Sequence, residues 1–123
     1  MSIVVSLLAV TATCTPVTMP PPINDAIVRK FFAAIAANDD AAIGKLLKPG
    51  ARYFEPDDSK GLPLDELLGM MTAQQKGGML KLVDLAATDK PGVIEIVTQA
   101  EDGPKRVGRV KLEGGCIAEM EAQ

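Results

Sequence analysis

The sequence predicts an α+β fold in which helices come first and an antiparallel sheet follows. Three observations carry this. Between Asn24 and Lys48, and again after Pro63, apolar residues recur at helical spacing. From Leu80 onward the period becomes extended, with runs at Leu80–Ala87, Val93–Ala100, Arg106–Leu112 and Cys116–Glu121 rich in β-branched and apolar residues. Between those runs lie Asp89-Lys90-Pro91-Gly92, Asp102-Gly103-Pro104 and Gly114-Gly115, all suited to hairpin turns. Helices followed by hairpins exclude a parallel βαβ array. With 123 residues the chain holds one domain, large enough to bury a core without metal or disulfide support.

Each element has its own signals. Asn24 or Asp25 is suited to cap a first helix whose inward stripe is Ile27, Val28, Phe31, Phe32 and Ile35, with Arg29 and Lys30 outward. Asn38-Asp39-Asp40 ends it and caps a second helix, Ala41–Lys48, with Ile43, Leu46 and Leu47 inward and Pro49-Gly50 as its stop. Ala51–Glu55 reads as a short strand and Pro56–Gly61 as a loop. Pro63 fits the first turn of a third helix, where its missing N–H costs nothing; Leu64, Leu67, Leu68 and Met71 form the buried stripe, and Gly77-Gly78 ends it. Alternation on the late strands puts Ile94, Ile96 and Thr98 on one face, together with Gly108, Val110 and Leu112. Ile94, Ile96, Val110 and Leu112 are therefore core candidates. Glu95, Arg109, Lys111, Glu119 and Glu121 fall on the other, solvated or dimeric, face. Met70, Met71, Met79 and Met120 read as flexible core filler and not as a soft-metal site.

Composition narrows the chemistry. Three phenylalanines, one tyrosine and no tryptophan leave the core to aliphatic residues and methionine. A net charge of −3, with both signs interspersed, offers no basic patch for nucleic acid. Histidine is absent, which removes the usual general base and the commonest metal ligand, so no metal or other cofactor is expected.

Residues 1–22 stand apart from the domain at 23–123. Met1–Val10 is apolar, and Thr11–Pro22 carries no charge. The apolar stretch is too short to span a bilayer. Val10-Thr11-Ala12 could serve as a signal-peptide cleavage site, but a basic start is missing. An additional strand or a tail ending in Pro20-Pro21-Pro22 is the alternative, so exported and cytoplasmic locations both stay open. Cys14 suggests a lipoprotein, although Thr11, Ala12 and Thr13 fit the required small-residue box poorly. Were Cys14 removed or anchored, Cys116 would be a lone small hydrophobe without a disulfide.

The run Val28–Asp39, then Leu46-Leu47, then Ala51-Arg52-Tyr53-Phe54-Glu55-Pro56, resembles the opening of nuclear transport factor 2-like, or SnoaL-like, domains. The closing segment Val110–Met120 is similar to the last hairpin of that family. The resemblance covers the chain after its N-terminal segment and rests on the order and spacing of degenerate motifs. It implies a cone-shaped, cystatin-like fold: three helices packed on a curved antiparallel sheet, a pocket at the wide end, and dimerisation through the sheet. It implies no single chemistry, since members include isomerases, cyclases, hydrolases and binding domains.

Within that frame the pocket candidates are Phe31, Phe32, Ile35, Leu67, Met71, Ile94, Ile96, Val110 and Leu112, with Glu55 and Tyr53 as candidate catalytic residues. Glu55 matches the position where ketosteroid isomerase-like members place a carboxylate that moves a proton beside a carbonyl. The plainer reading is a solvated glutamate at a strand end. Phe31 stands where such isomerases carry a tyrosine oxyanion donor, and Val107-Gly108-Arg109 lacks their late aspartate. An epoxide-hydrolase set would need Asp84, Arg109 and Tyr53 together, and no spacing requires it. Two functions therefore remain: binding a small apolar ligand or a partner without catalysis, or proton transfer by Glu55 on a small apolar carbonyl compound.

Overall fold

The computed structural model describes Cys14 and residues 19–71, 81–99 and 103–123. In chain order these form α1 (Pro21–Ala36), α2 (Asp40–Leu46), β1 (Leu47–Phe54), β2 (Leu62–Pro63), α3 (Leu64–Met70), β3 (Lys81–Ala87), β4 (Val93–Gln99), β5 (Lys105–Glu113) and β6 (Cys116–Ala122). The helices pack on one face of a six-stranded sheet of order β2-β1-β6-β5-β4-β3.

The first helix begins earlier than its polar residues suggest. Pro21 and Pro22 occupy its first turn, where no backbone N–H is needed. Asn24 is not a cap. It is 2% exposed, and its Nδ2 donates to the Met19 carbonyl at 2.9 Å, fastening the segment ahead of the helix. Val28, Phe31, Phe32 and Ile35 form the buried stripe, with the two phenylalanine rings edge to face at 5.6 Å. Asn38 ends the helix with φ of 53°, a left-handed conformation that asparagine tolerates, and Asp39 N–H returns to the Ala34 carbonyl at 2.9 Å. The Asp39 carboxylate then accepts from Ala42 N–H at 3.1 Å and caps α2, as its position in the sequence indicates.

Two helix ends differ from the sequence expectation. α2 stops at Leu46, and Leu47 through Gly50 already belong to β1. The pairing of β1 with β6 is irregular there, jumping from Leu47↔Ile117 to Arg52↔Glu119. That irregularity accommodates Pro49, which has no N–H for a ladder, and Gly50 with φ of 81°. Lys48, inside the bulge, pairs with Glu113 at the end of β5 (Nζ to Oε2, 2.7 Å), and its donated hydrogen bond holds that carboxyl below its ordinary value. α3 ends at Met70, with Met71 already extended; Gly77-Gly78, Met79 and Ala100 lie outside the described residues. Met70 is 71% exposed, which corrects its assignment to the core, whereas Met120 is buried.

The sheet is not wholly antiparallel. β1 and β6 run parallel, and the other four pairings are antiparallel. A parallel neighbour needs a long connection, and here everything from β2 to β5 lies between the two strands. The β5–β6 hairpin turns on Gly114 and Gly115, both with positive φ (57° and 84°), as a two-residue primed turn requires. The inner face presents Ile94, Ile96, Val110, Leu112, Ile117 and Met120 to α1 and α3. Among the described residues, no helix is long and apolar enough to cross a membrane.

Cys14 is bonded to Cys116 at the start of β6, consuming both cysteines of the chain. The conditional reading of Cys116 as a lone thiol does not hold in this structure, and a lipid on the Cys14 sulfur is incompatible with the bond. The bridge spans 102 residues, so it removes much of the freedom of the unfolded chain. Reduction, or Cys116→Ser, is expected to lower the free energy of unfolding by roughly 3–5 kcal/mol. Urea denaturation with and without a thiol reductant measures this, and coincident curves would show that the bond contributes nothing.

Candidate ligand-binding pocket

The pocket lies where the helices meet the inner face of the sheet. Ile94, Val110 and Leu112 are buried in the core. Beside them, residues of α1, α3 and the strands border a cavity of about 320 Å³. Its apolar wall combines Phe32 and Ile35 of α1, Leu64, Leu67 and Leu68 of α3 with Met71 just beyond, and Ile96 and Met120 of the sheet. Gly108 belongs to the same wall. A Cβ there would sit 2.8 Å from the Glu121 carbonyl oxygen, so glycine permits the close approach of β5 to β6 and leaves the space above it open.

The polar groups sit at the rim. Tyr53 pairs with Met120, whose side chain is in the core, so strand alternation turns the tyrosine inward; Glu55, two residues on, follows it past the end of β1. On β5, Arg106 shares the face of Gly108 and Val110, and it pairs with Thr98 of β4. Tyr53, Glu55, Thr98 and Arg106 all line the cavity. The Tyr53 hydroxyl donates to Glu55 Oε1 at 3.2 Å. Partial burial pushes the Tyr53 hydroxyl above its ordinary value, and the charge and hydrogen bond of Glu55 push the same way, against the opposing field of Arg106. Glu55 itself is exposed. The fold therefore does not enclose this carboxylate in apolar surroundings, which the catalytic reading requires.

Of the residues nominated from sequence, the structure gathers Tyr53, Glu55, Phe32, Ile35, Leu67, Met71 and Ile96 around the cavity. Phe31, Ile94, Val110 and Leu112 do not line it; they are buried in the core beside it. Alternation identifies the inward face of a strand but not how far a helix covers it. Asp84 is exposed and Arg109 lies on the outer face, so neither joins Tyr53 at the cavity. Arg106, Leu64, Leu68 and Met120 were not singled out as pocket residues. Extending the β5 alternation one step back from Gly108 identifies Arg106. Among the described residues, no three His, Cys, Asp or Glu side chains converge where a metal ion could sit.

Three helices over one face of a curved sheet, with a cavity between the helices and the strands, define the cone-shaped nuclear transport factor 2-like fold. Solved structures bear this out. The chain is similar to a SnoaL-like protein of unknown function from Burkholderia thailandensis, with 12% identity over 85% of this chain and 97% of the other, at a TM-score of 0.68. A nuclear transport factor 2-like protein from Burkholderia xenovorans matches at 15% identity over 85% and 91% of the two chains, with a TM-score of 0.58. TerC, co-crystallised with polyporic acid, matches at 15% identity over 82% and 90%, with a TM-score of 0.56. No family model matches the chain, and no curated protein matches its sequence. At these identities the likeness establishes the fold.

Tyr53 is the chain's sole tyrosine, so its phenolate absorbance reports this site alone. The midpoint is expected above 10.0, higher still in Arg106→Gln and lower in Glu55→Gln. Because the folded state holds the phenolic proton more tightly than the unfolded chain, the associated stability is complete below about pH 10 and is lost as pH rises through the folded value. A midpoint at or below 10.0 that neither substitution moves would refute this geometry.

Proposed function

We propose that the chain binds a small apolar ligand in the cavity between α3 and the inner face of the sheet, without catalysing a reaction on it. One observation carries this reading: the cavity is walled by aliphatic, aromatic and methionine side chains, while the carboxylate nominated for chemistry stands exposed at its rim. Its volume lies at the small end of the range for ligand pockets, roughly 300–1,000 Å³. That TerC was co-crystallised with polyporic acid supports the capacity of this fold to accept a small organic molecule. The competing reading, proton transfer by Glu55 assisted by Tyr53, draws on the hydrogen bond between them. It lacks the isomerase tyrosine: Phe31, at that position, is an apolar core residue. The Cys14–Cys116 bond supports maturation in an oxidising compartment, where such bonds form and persist.

Native mass spectrometry and thermal shift with a panel of apolar carbonyl compounds separate the two functions. Binding is expected in the wild type and, within about threefold, in Glu55→Gln, the scale of a surface substitution. Turnover that disappears in Glu55→Gln would instead make the protein an enzyme.

The outer face of the sheet is proposed to pair with a second copy of the chain. Cross-strand neighbours Glu95, Arg109 and Glu121 alternate in sign along one row, and Lys111 meets Glu119 at 3.6 Å on the next. Exposed Val83 and Val107 add apolar area. A face carrying both signs can complement itself about a two-fold axis. Light scattering at micromolar concentration is expected to give a dimer mass, reduced toward the monomer by Arg109→Glu; a monomeric wild type would reject this interface.

A further inference from the structure

We infer that the occupant of the cavity is an amphipathic monoanion: an apolar body held under α3, with a carboxylate or similar anionic end at the rim against the Arg106 guanidinium. The inference rests on the reading of this cavity as a ligand pocket and names the chemical class of what enters it.

The argument begins with the use made of each arginine around the sheet. Arg52 donates from Nε and Nη2 to the carbonyls of Lys60 and Gly61, so its fork is engaged by its own chain. Arg109 lies in register between Glu95 and Glu121 on the outer face, with its Nε buried and without a hydrogen-bond partner. Arg106 differs from both in its place: it stands, solvent-exposed, on the inner face at the rim of the cavity. Among the described residues, no carboxylate lies within ion-pair distance of Arg106. Its guanidinium brings five N–H donors and a permanent positive charge to the edge of an apolar cavity. That planar fork matches a carboxylate in two parallel hydrogen bonds.

The other rim groups are compatible with this. Glu121 lines the cavity but, paired with Arg109, carries its side chain on the outer face, so its charge is directed away. Glu55 Oε1 already accepts the Tyr53 hydroxyl. Thr98, directly across from Arg106, supplies a hydroxyl that can donate to the same anionic group. The field of Arg106 already favours negative charge at this rim, as its effect on Tyr53 indicates. A neutral apolar ligand would leave the guanidinium unused. A cationic one would meet Glu55 but face repulsion from Arg106.

Three probes of one shape and different charge test this: octanoate, octanol and octylamine, titrated calorimetrically at pH 7.5 into the oxidised full chain. Octanoate is expected to bind roughly tenfold tighter than octanol, the scale of a partly screened hydrogen bond to a charged group. In Arg106→Gln that preference should vanish, with a circular dichroism spectrum matching the wild type to verify that the variant is folded. Arg106→Lys should keep part of the preference, having the charge without the fork. Equal binding of octanoate and octanol by the wild type, stronger binding of octylamine, or a preference that survives Arg106→Gln would overturn the inference and leave the apolar pocket standing. Binding of none of the three would remove the pocket reading itself, and this inference with it.

Discussion

The structure depends on β6 being held between β1 and β5. This last strand pairs in parallel with β1 on one side and antiparallel with β5 on the other, and it joins the two halves of the sheet. Its inward residues Ile117 and Met120 anchor the core, and full burial of such side chains contributes about 1.5–3 kcal/mol each. The pairing also fixes the site. Tyr53 is positioned by its register with Met120, and Gly108 by its register with Ala122. A slip of one residue would turn Tyr53 outward and put the charged outer row of β6 against the helices. Fold and pocket are thus specified by the same ladder.

The disulfide acts on that strand from its other end. Cys116 is fully buried at the start of β6, next to the two-glycine turn, and its bond ties residue 14 to the strand on which the sheet is organised. The cavity lies near the opposite end, where Met120 and Ala122 line it. The covalent constraint therefore supports the scaffold without entering the site. Lys48 and Glu113 work in the same region, closing the β1 bulge onto the end of β5. Two restraints at one end leave the cavity at the other end to be shaped by α1, α3 and the strands around it.

How much of this was legible in the sequence follows from the range of each signal. The strands after Leu80 were legible because period-two alternation and glycine turns are local. The Asp39 cap was legible for the same reason. The α1 start was not, because Asn24 looks like a cap but spends its side chain on Met19, and proline suits a helix N-terminus as well as a tail. The parallel β1–β6 pairing joins residues more than sixty positions apart, which no local pattern encodes. The disulfide was invisible because two cysteines in a chain of open location carry no instruction to pair. Within the pocket, Glu55 and Tyr53 came from a motif and Ile96 from alternation, whereas Leu64 and Leu68 read as buried core and required knowing that α3 borders the cavity. Arg106 was overlooked because a charged residue at a strand start reads as solvated until its face is followed.

The rim geometry is what favours the proposed binding role over catalysis. A proton-transfer site gains most from donors fixed toward developing charge in a dry surrounding. Here the one phenol near the candidate carboxylate donates to that carboxylate, so its proton is already engaged. Glu55 stands exposed to solvent, where its charge is screened. The same arrangement serves recognition well. The Tyr53–Glu55 hydrogen bond holds both side chains in one geometry before a ligand arrives, reducing the ordering cost of association. On the proposed reading, the apolar wall would supply affinity in proportion to the area it covers, and Arg106 would add discrimination by charge. Such a pocket would select what enters by its wall and its rim together.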